Sequence, residues 1–147
     1  MADPKTLEDY YKMGGDIFIE RLTNELKEME EAADAVMIHI PLVFRGTRGY
    51  MLRAVVDNPF NFKYATDELK ADFDYALKVV KVSEITYAQL NSSLRNNKAF
   101  NSLAASYNKG VIPMIGVEKD KIISTYLEKV KWIVDVSRDR SMPRSEE

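Results

Sequence analysis

The chain has 147 residues, of which 46% are hydrophobic and 30% charged, and its formal net charge is -2. This length and apolar content exclude a disordered chain and fit one domain with a real core, while the apolar runs are too short to cross a bilayer. The lack of cysteine excludes disulfides and thiolate catalysis, and a single histidine leaves few options for metal binding. We therefore expect a cytoplasmic, non-secreted protein with no membrane association, cofactor or metal ion, and an N-terminus without the pattern of a signal peptide.

The charge is unevenly distributed along the chain. Residues 1–36 contain ten acidic and four basic residues, whereas residues 37–110 contain six acidic and ten basic ones. An acidic arm beside a mildly basic middle favours electrostatic attraction to a partner or between the two parts. The positive charge is too weak for a typical nucleic-acid footprint.

Residues 1–40 are predicted to contain a long acidic helix. Gly14 and Gly15 provide a break, Asp16 a candidate N-cap, and Pro41 a stop. Steps of three and four residues form a heptad seam of apolar side chains: Ile19, Leu22, Leu26, Met29, Ala33, Val36 and Ile40. Either this seam packs along the rest of the chain and caps it, or its first four residues, Ile19, Leu22, Leu26 and Met29, mediate self-association.

An internal repeat of 25 residues organises the middle of the chain. Tyr50–Val55 resembles Tyr75–Val80, and the same offset relates Phe62 to Tyr87. Short amphipathic helices cannot bury their apolar faces alone, but stacked neighbours can. Residues 41–116 are therefore predicted to form about three stacked helical-repeat units. The alternative is an irregular helical bundle with coincidental spacing.

Each predicted unit has the same order of signals. A short helix carries apolar residues three apart, and a polar capping segment follows, either Thr66–Asp67 or Asn91–Ser93. A second helix then carries apolar residues at helical spacing. Asn58 and Pro59 indicate where the longer helix of the first unit ends.

The segment Leu52–Pro59, followed by Tyr64–Asp72, resembles a short helical repeat of unknown function that occurs in tandem in protist, giant-virus and some bacterial proteins. The recurring form of that repeat is V-L-x-A-V, then N-x, then Y-A-S-x-E-L-R-x-D. The second unit departs from this form, since Gln89–Ser93 replaces its Y-A-S-x-E core. It keeps four of the motif positions: Leu77, Val80, Leu94 and Arg95.

The segment Arg53–Pro59 is also similar to the variant leucine-rich repeat, which pairs an α-helix with a short 3₁₀ helix. Either resemblance covers about residues 41–107. Neither family supplies catalytic residues. What both resemblances imply is a stacked helical surface for protein contact.

Residues 117–137 are predicted to form a C-terminal helix that closes the domain, and residues 138–147 a loose tail. Trp132 lies about 100° from Ile133 around this helix, so it is either an exposed anchor or the edge of a broad buried face. The apolar stripe of the helix consists of Ile122, Ile123, Tyr126, Val130, Ile133 and Val134.

The sequence contains no catalytic constellation. His39 lies among apolar residues and is interpreted as structural. The acidic cluster around Glu28 and Glu31 lacks the Glu-x-x-His motif of metal-binding bundles and is interpreted as a solvated face. We therefore expect a non-enzymatic module for protein interaction or assembly. Its candidate partner-binding residues are basic or aromatic: Arg45, Arg48, Arg53, Lys63, Tyr64, Lys70 and Lys78.

Two alternative functions remain open at this point. Residues 76–95 fit a helix-turn-helix in which a recognition helix beginning at Ser83 presents Gln89, Asn91 and Arg95 to DNA. The turn lacks its usual glycine. The other alternative is a viral or phage structural or host-interaction component that self-assembles through the N-terminal helix.

Overall fold

The computed structural model describes residues 14–141, and side chains within residues 14–137. Within this range the chain consists of helices without any strand, and the all-α prediction with a long helix at either end is confirmed. The α-helices are α1 (Gly15–Met37), α2 (Leu42–Arg45), α3 (Arg48–Asp57), α4 (Asp67–Lys70), α5 (Phe73–Val82), α6 (Ser92–Arg95), α7 (Lys98–Tyr107) and α8 (Ile122–Ser141). The 3₁₀ helices are η1 (Pro59–Tyr64), η2 (Glu84–Gln89), η3 (Lys109–Met114) and η4 (Lys119–Lys121).

The same three elements recur three times in the middle of the chain. Each unit has a four-residue α-helix, a ten-residue α-helix and a six-residue 3₁₀ helix. Unit 1 spans 42–64, unit 2 spans 67–89 and unit 3 spans 92–114, so every element begins 25 residues after its equivalent. The structure thus stacks three similar units between α1 and α8.

Polar side chains cap these elements at equivalent positions. The side chains of Asn58, Ser83 and Asn108 each accept a hydrogen bond from the N–H two residues later, at the start of a 3₁₀ helix. Asp72 and Asn97 each accept one from the N–H three residues later, at the start of a long helix. Such caps satisfy N–H groups that have no partner within the helix. They fix where each element of a unit begins.

The domain has three layers. The long helices α3, α5 and α7 pack side by side, and η1, η2 and η3 form a second layer beneath them. Helices α1 and α8 contact each other and cover the 3₁₀ layer. The core lies between the first two layers, where Phe62, Tyr87 and Phe100 are fully buried. Burial of each such side chain contributes roughly 1.5–3 kcal/mol.

Helix α1 begins two residues earlier than the N-cap prediction required. Gly14 is the N-cap and Asp16 lies in the first turn, so the prediction that Asp16 caps the helix is wrong. The N–H of Gly15 donates to Asp135 Oδ1 of α8 at 3.0 Å, and Asp16 forms an ion pair with Lys131 at 3.3 Å. These contacts to α8 replace a local cap. The helix ends at Met37, ahead of Pro41, and the predicted helical residues 1–13 lie outside the described range.

Most of the heptad seam of α1 packs within the chain, but Val36 is 58% exposed, so its predicted packing is wrong. Leu26 and Met29 lie against a small buried cluster that contains Ala33, Phe60 and Ile85. Ile19 and Leu22 are half-buried as well, in the helix that contacts α8. The seam therefore covers η1 and η2, as the capping alternative expected. Self-association through the same residues stays a prediction.

Helix α8 begins later and ends later than predicted. The chain forms the 3₁₀ helix η4 before α8 begins at Ile122, and α8 continues to Ser141. The prediction of a loose tail is therefore wrong for residues 138–141, while residues 142–147 lie outside the described range. Trp132 is exposed, with the ammonium of Lys129 4.3 Å from its ring centroid, so it is not the edge of a buried face.

The helix-turn-helix that was the alternative for residues 76–95 is not formed. Ser83 caps the six-residue 3₁₀ helix η2, which begins at Glu84 in place of a recognition helix. The hydroxyl of Thr86 donates to the Ser83 carbonyl at 2.7 Å, and the Gln89 amide donates to the Pro59 carbonyl at 3.1 Å. These bonds hold the segment in a tight 3₁₀ turn against unit 1. The side chain of Arg95 likewise donates to the Leu90 carbonyl at 3.2 Å rather than pointing from a DNA-reading helix.

Candidate functional site

The first unit exposes side chains that the later units bury. Phe44 is 47% exposed, whereas its equivalents Leu69 and Leu94 are 3% and 5% exposed. Position 50 shows the same contrast, since Tyr50 is 38% exposed and its equivalents Tyr75 and Phe100 are 2% and 0% exposed. The difference arises from what precedes each unit rather than from the side chains themselves.

The preceding unit covers these positions in units 2 and 3. The hydroxyl of Tyr75 donates to the carbonyl of Arg48 in α3 at 2.7 Å, and the Arg48 guanidinium lies 5.4 Å from the Tyr75 ring centroid. The ring of Phe100 packs edge-on against Phe73 of α5, with centroids 5.4 Å apart. An α-helix from the previous unit therefore buries each of these aromatic rings.

Unit 1 has an equivalent of a preceding 3₁₀ helix but no equivalent of a preceding long helix among the described residues. The side chain of Arg45 donates to the Ile40 carbonyl at 3.1 Å, as Arg95 does to the Leu90 carbonyl. The end of α1 and the turn after it thus take the place of a preceding 3₁₀ helix. Among the described residues, no helix takes the place of a preceding long helix beside α3.

The uncovered surface is apolar. Phe44 and Tyr50 pack on each other with ring centroids 5.3 Å apart, and the neighbouring residues of α2 are also exposed. Exposed apolar patches on folded domains mark protein-interaction sites more often than isolated apolar residues do. We call this surface the end face and define it as Leu42, Val43, Phe44 and Tyr50.

The predicted partner-binding residues do not form one surface. Arg45, Lys63, Tyr64 and Lys70 line one groove of about 390 Å³ between units 1 and 2. Arg48 instead pairs with Asp72 across the boundary between these units. The other two, Arg53 and Lys78, are exposed at equivalent positions of the long helices α3 and α5.

Asp34 of α1 holds two of the groove residues in place. The Lys63 ammonium lies 3.1 Å from Asp34 Oδ1, and the Tyr64 hydroxyl donates to the same oxygen. The hydrogen bond from Tyr64, followed by that from Lys63, lowers the pKa of Asp34 below its usual range. The carboxylate stays ionised and fixes η1 to α1.

A second, smaller pocket adjoins the groove and is also lined by Lys63 and Lys70. It has a volume of about 220 Å³ and includes Lys119 of η4 and Gln89 of η2. Burial lowers the pKa of Lys70, and the neighbouring charges of Lys119 and Lys63 lower it further while Asp67 opposes them. We call this the lysine pocket and define it as Lys63, Lys70, Gln89 and Lys119.

Sequence reasoning missed two residues of the lysine pocket. Lys119 and Gln89 are distant in sequence from Lys63, and only the placement of η4 and η2 beside η1 brings them together. The buried Oε1 atom of Gln89 has no hydrogen-bond partner. No local pattern marks either residue, although the 25-residue offset between Tyr64 and Gln89 indicates equivalent positions.

An apolar groove of about 440 Å³ lies on the opposite end of the 3₁₀ layer, between α8 and η3. At its edge the Tyr126 hydroxyl donates to Glu84 Oε1 at 2.5 Å, and the Asn108 amide donates to Oε2 at 3.2 Å. Burial, and then the bond to Glu84, raises the pKa of Tyr126. Both carboxylate oxygens of Glu84 therefore accept hydrogen bonds, and the one to Tyr126 joins unit 2 to α8. Glu84 is the only acidic side chain among the described residues that line this groove.

No group of three or more His, Cys, Asp or Glu side chains is arranged to hold a metal ion within the described part of the chain. None of the helices described is long and apolar enough to span a membrane.

Residues 47–95 match a family model described as a domain of unknown function, DUF4116. The match begins at the N-cap of α3 and ends with α6, so it contains two of the three long-helix positions. It covers about one third of the chain. No curated protein and no solved structure shows significant similarity to the chain.

Proposed function

We propose that this chain is a non-enzymatic protein-interaction module built on helical repeat units, and that its end face binds a helix of a protein partner. The observation that carries the proposal is the exposure of Tyr50 at a position that the preceding unit buries in units 2 and 3, with the exposed ring of Phe44 packed against it. A partner helix at the end face would complete the stack.

The covered units indicate the chemistry of the partner. Tyr75 and Phe100 are buried by an α-helix that offers a main-chain carbonyl or an aromatic ring. A helix at the end face would offer the same groups to Tyr50 and Phe44. Because Arg53 is exposed on α3 one helical turn after Tyr50, an acidic residue flanking the apolar stripe of the partner favours binding.

The proposal includes membership of the tandem repeat family that the sequence resembles. The recurrence of α-helix and 3₁₀ helix every 25 residues supports it, as does the pairing expected from the similarity to the variant leucine-rich repeat. The matched family has no described activity and adds no catalytic role. Cytoplasmic location is part of the same proposal and is supported by the lack of cysteine.

Affinity capture with matched variants tests the proposal. The wild-type chain, the double variant Phe44→Ser/Tyr50→Ser and the control Leu103→Ser/Tyr107→Ser are used as bait in extracts of the source cells. The control removes two apolar side chains that are similarly exposed on α7. We expect a partner that the wild type and the control retain and the end-face variant loses.

Equal capture by all three baits would overturn the proposed role of the end face. Recovery of a second copy of the chain as the retained partner would favour the self-assembly alternative instead. Circular dichroism of each bait confirms that a lost partner does not reflect a lost fold.

A further inference from the structure

We infer that the lysine pocket binds an acidic side chain of a peptide, with the carboxylate held by Lys70 and Lys119. This inference rests on the proposed function, because the peptide belongs to the protein partner. It adds a second, polar contact to the apolar contact at the end face.

Three elements converge on the pocket. Lys63 comes from η1, Lys70 from α4 and Lys119 from η4, while Phe60, Ala88 and Ile123 provide apolar walls. The pocket thus combines positive charge with apolar surface. A ligand with an anionic group on an aliphatic stem, such as a glutamate side chain, matches both features.

Lys70 differs from its equivalents in the other units. Arg45 and Arg95 donate to main-chain carbonyls at 3.1 and 3.2 Å, and these bonds tie each short helix to the turn before it. The ammonium of Lys70 has no such hydrogen bond or ion pair within the described residues. It is half-buried beside Lys119 and beside Lys63, whose ammonium already pairs with Asp34, so a bound carboxylate would give Lys70 the counter-ion it lacks.

Glu30 argues for a carboxylate rather than a phosphate. It lines the same pocket, and Asp34 is ion-paired with Lys63, so the three lysines and these two acids leave one net positive charge. A monoanion neutralises that charge, whereas a dianion leaves the pocket negatively charged. The pocket therefore favours a single glutamate or aspartate side chain over a phosphorylated one.

A titration followed by ¹H–¹⁵N correlation NMR tests the inference. The probes are acetyl-Ala-Glu-Ala-amide, its glutamine counterpart and inorganic phosphate, each titrated to millimolar concentration at constant ionic strength. We expect the glutamate peptide to shift the side-chain amide of Gln89 and the backbone amides of Lys70 and Lys119. The glutamine peptide and phosphate should leave them unchanged.

The variant Lys70→Met should weaken binding of the glutamate peptide at least tenfold, and the control Lys98→Met should not. Lys98 is exposed at the start of α7, away from the pocket. Unchanged amide positions outside the pocket show that Lys70→Met is folded. Lack of any shift with the glutamate peptide, or an equal response to phosphate, would overturn the inference.

Failure here and failure of the proposed function are distinguishable. The peptide titration reports only on the lysine pocket, while capture by the Phe44→Ser/Tyr50→Ser variant reports only on the end face. A partner lost by that variant together with an unresponsive lysine pocket would remove this inference alone.

Discussion

The hydroxyl of Tyr75 donates a 2.7 Å hydrogen bond to the carbonyl of Arg48, and so joins the long helix of unit 2 to that of unit 1. Tyr50 occupies the equivalent position in unit 1 and faces no preceding long helix among the described residues. The same residue type therefore stabilises the fold at one position and is available for a partner at the other.

Replacing Tyr75 by phenylalanine removes this bond and leaves the Arg48 carbonyl without its donor. We expect a loss of about 1 kcal/mol in the free energy of unfolding. The matched variant Tyr50→Phe should change it by less than about 0.5 kcal/mol, as is usual for surface substitutions. Urea denaturation followed by circular dichroism measures both, and equal losses would contradict the assignment of Tyr75 as the inter-unit contact.

The pair Leu94 and Phe44 tests the contrast between covered and uncovered units. Leu94→Ala creates a cavity in a packed position and should cost about 2–5 kcal/mol. Phe44→Ala removes a half-exposed ring and should cost no more than about 1 kcal/mol. Thermal or urea denaturation of the two variants gives the comparison, and a larger loss for Phe44→Ala would show that its ring is part of the core.

We expect the contribution of the Asp72 cap to the free energy of unfolding to depend on pH. The N–H of Tyr75, and then the Arg48 guanidinium, hold the pKa of this carboxyl below its ordinary value of 3.8. Its contribution to stability is therefore fully present above that value and is lost as the pH falls through the lower pKa of the folded state. Asp72→Ala should cost about 1 kcal/mol at neutral pH and less in acid.

Asn97 provides the matched control, because it caps α7 as Asp72 caps α5 but has no titratable group. Asn97→Ala should cost about 1 kcal/mol at neutral and acidic pH alike. Urea denaturation of both variants at pH 7 and at acidic pH separates the two cases. Identical pH dependence in the two variants would show that the charge of Asp72 does not contribute.

Two glycines should respond oppositely to alanine. Gly116 has a φ of 80°, where an added Cβ is strained although no atom lies within 4 Å of it. Gly49 lies inside α3 and also has open space around an added Cβ. Gly116→Ala should cost about 1 kcal/mol, and Gly49→Ala should stabilise by about 0.5–1 kcal/mol. The urea concentration at the midpoint of unfolding should therefore fall for Gly116→Ala and rise for Gly49→Ala. A shift in the same direction for both variants would contradict this prediction.

Apolar periodicity and polar caps predicted most of the architecture. The repeated spacing of Phe62 and Tyr87 and the cap at Asn91 correspond to local interactions that the sequence records directly, whereas the side chain of Thr66 does not form the predicted cap. The 3₁₀ form of η2 was not predicted, because Thr86 competes for a main-chain carbonyl that an α-helix would use otherwise. Sequence spacing alone does not resolve that competition.

The sites depended on contacts between distant segments. The side chains of Lys63, Lys70 and Lys119 meet only because η4 returns beside η1, and no periodicity predicts that return. The exposure of Phe44 likewise depends on the path of α1, which covers the 3₁₀ layer and leaves the α3 layer open. Residue types alone predicted a basic surface but not its division into a groove, a unit boundary and an exposed helix face.

Site-specific photo-cross-linking tests the central claim most directly. A photoreactive phenylalanine analogue is placed at position 44 of the end face or, as the control, at position 103 of α7, and the chain is illuminated in its source cells. We predict a discrete adduct from position 44 and none from position 103. The partner peptide in that adduct should belong to a helix in which acidic residues flank an apolar stripe. Adducts from position 103 alone, or no adduct from position 44, would contradict this prediction.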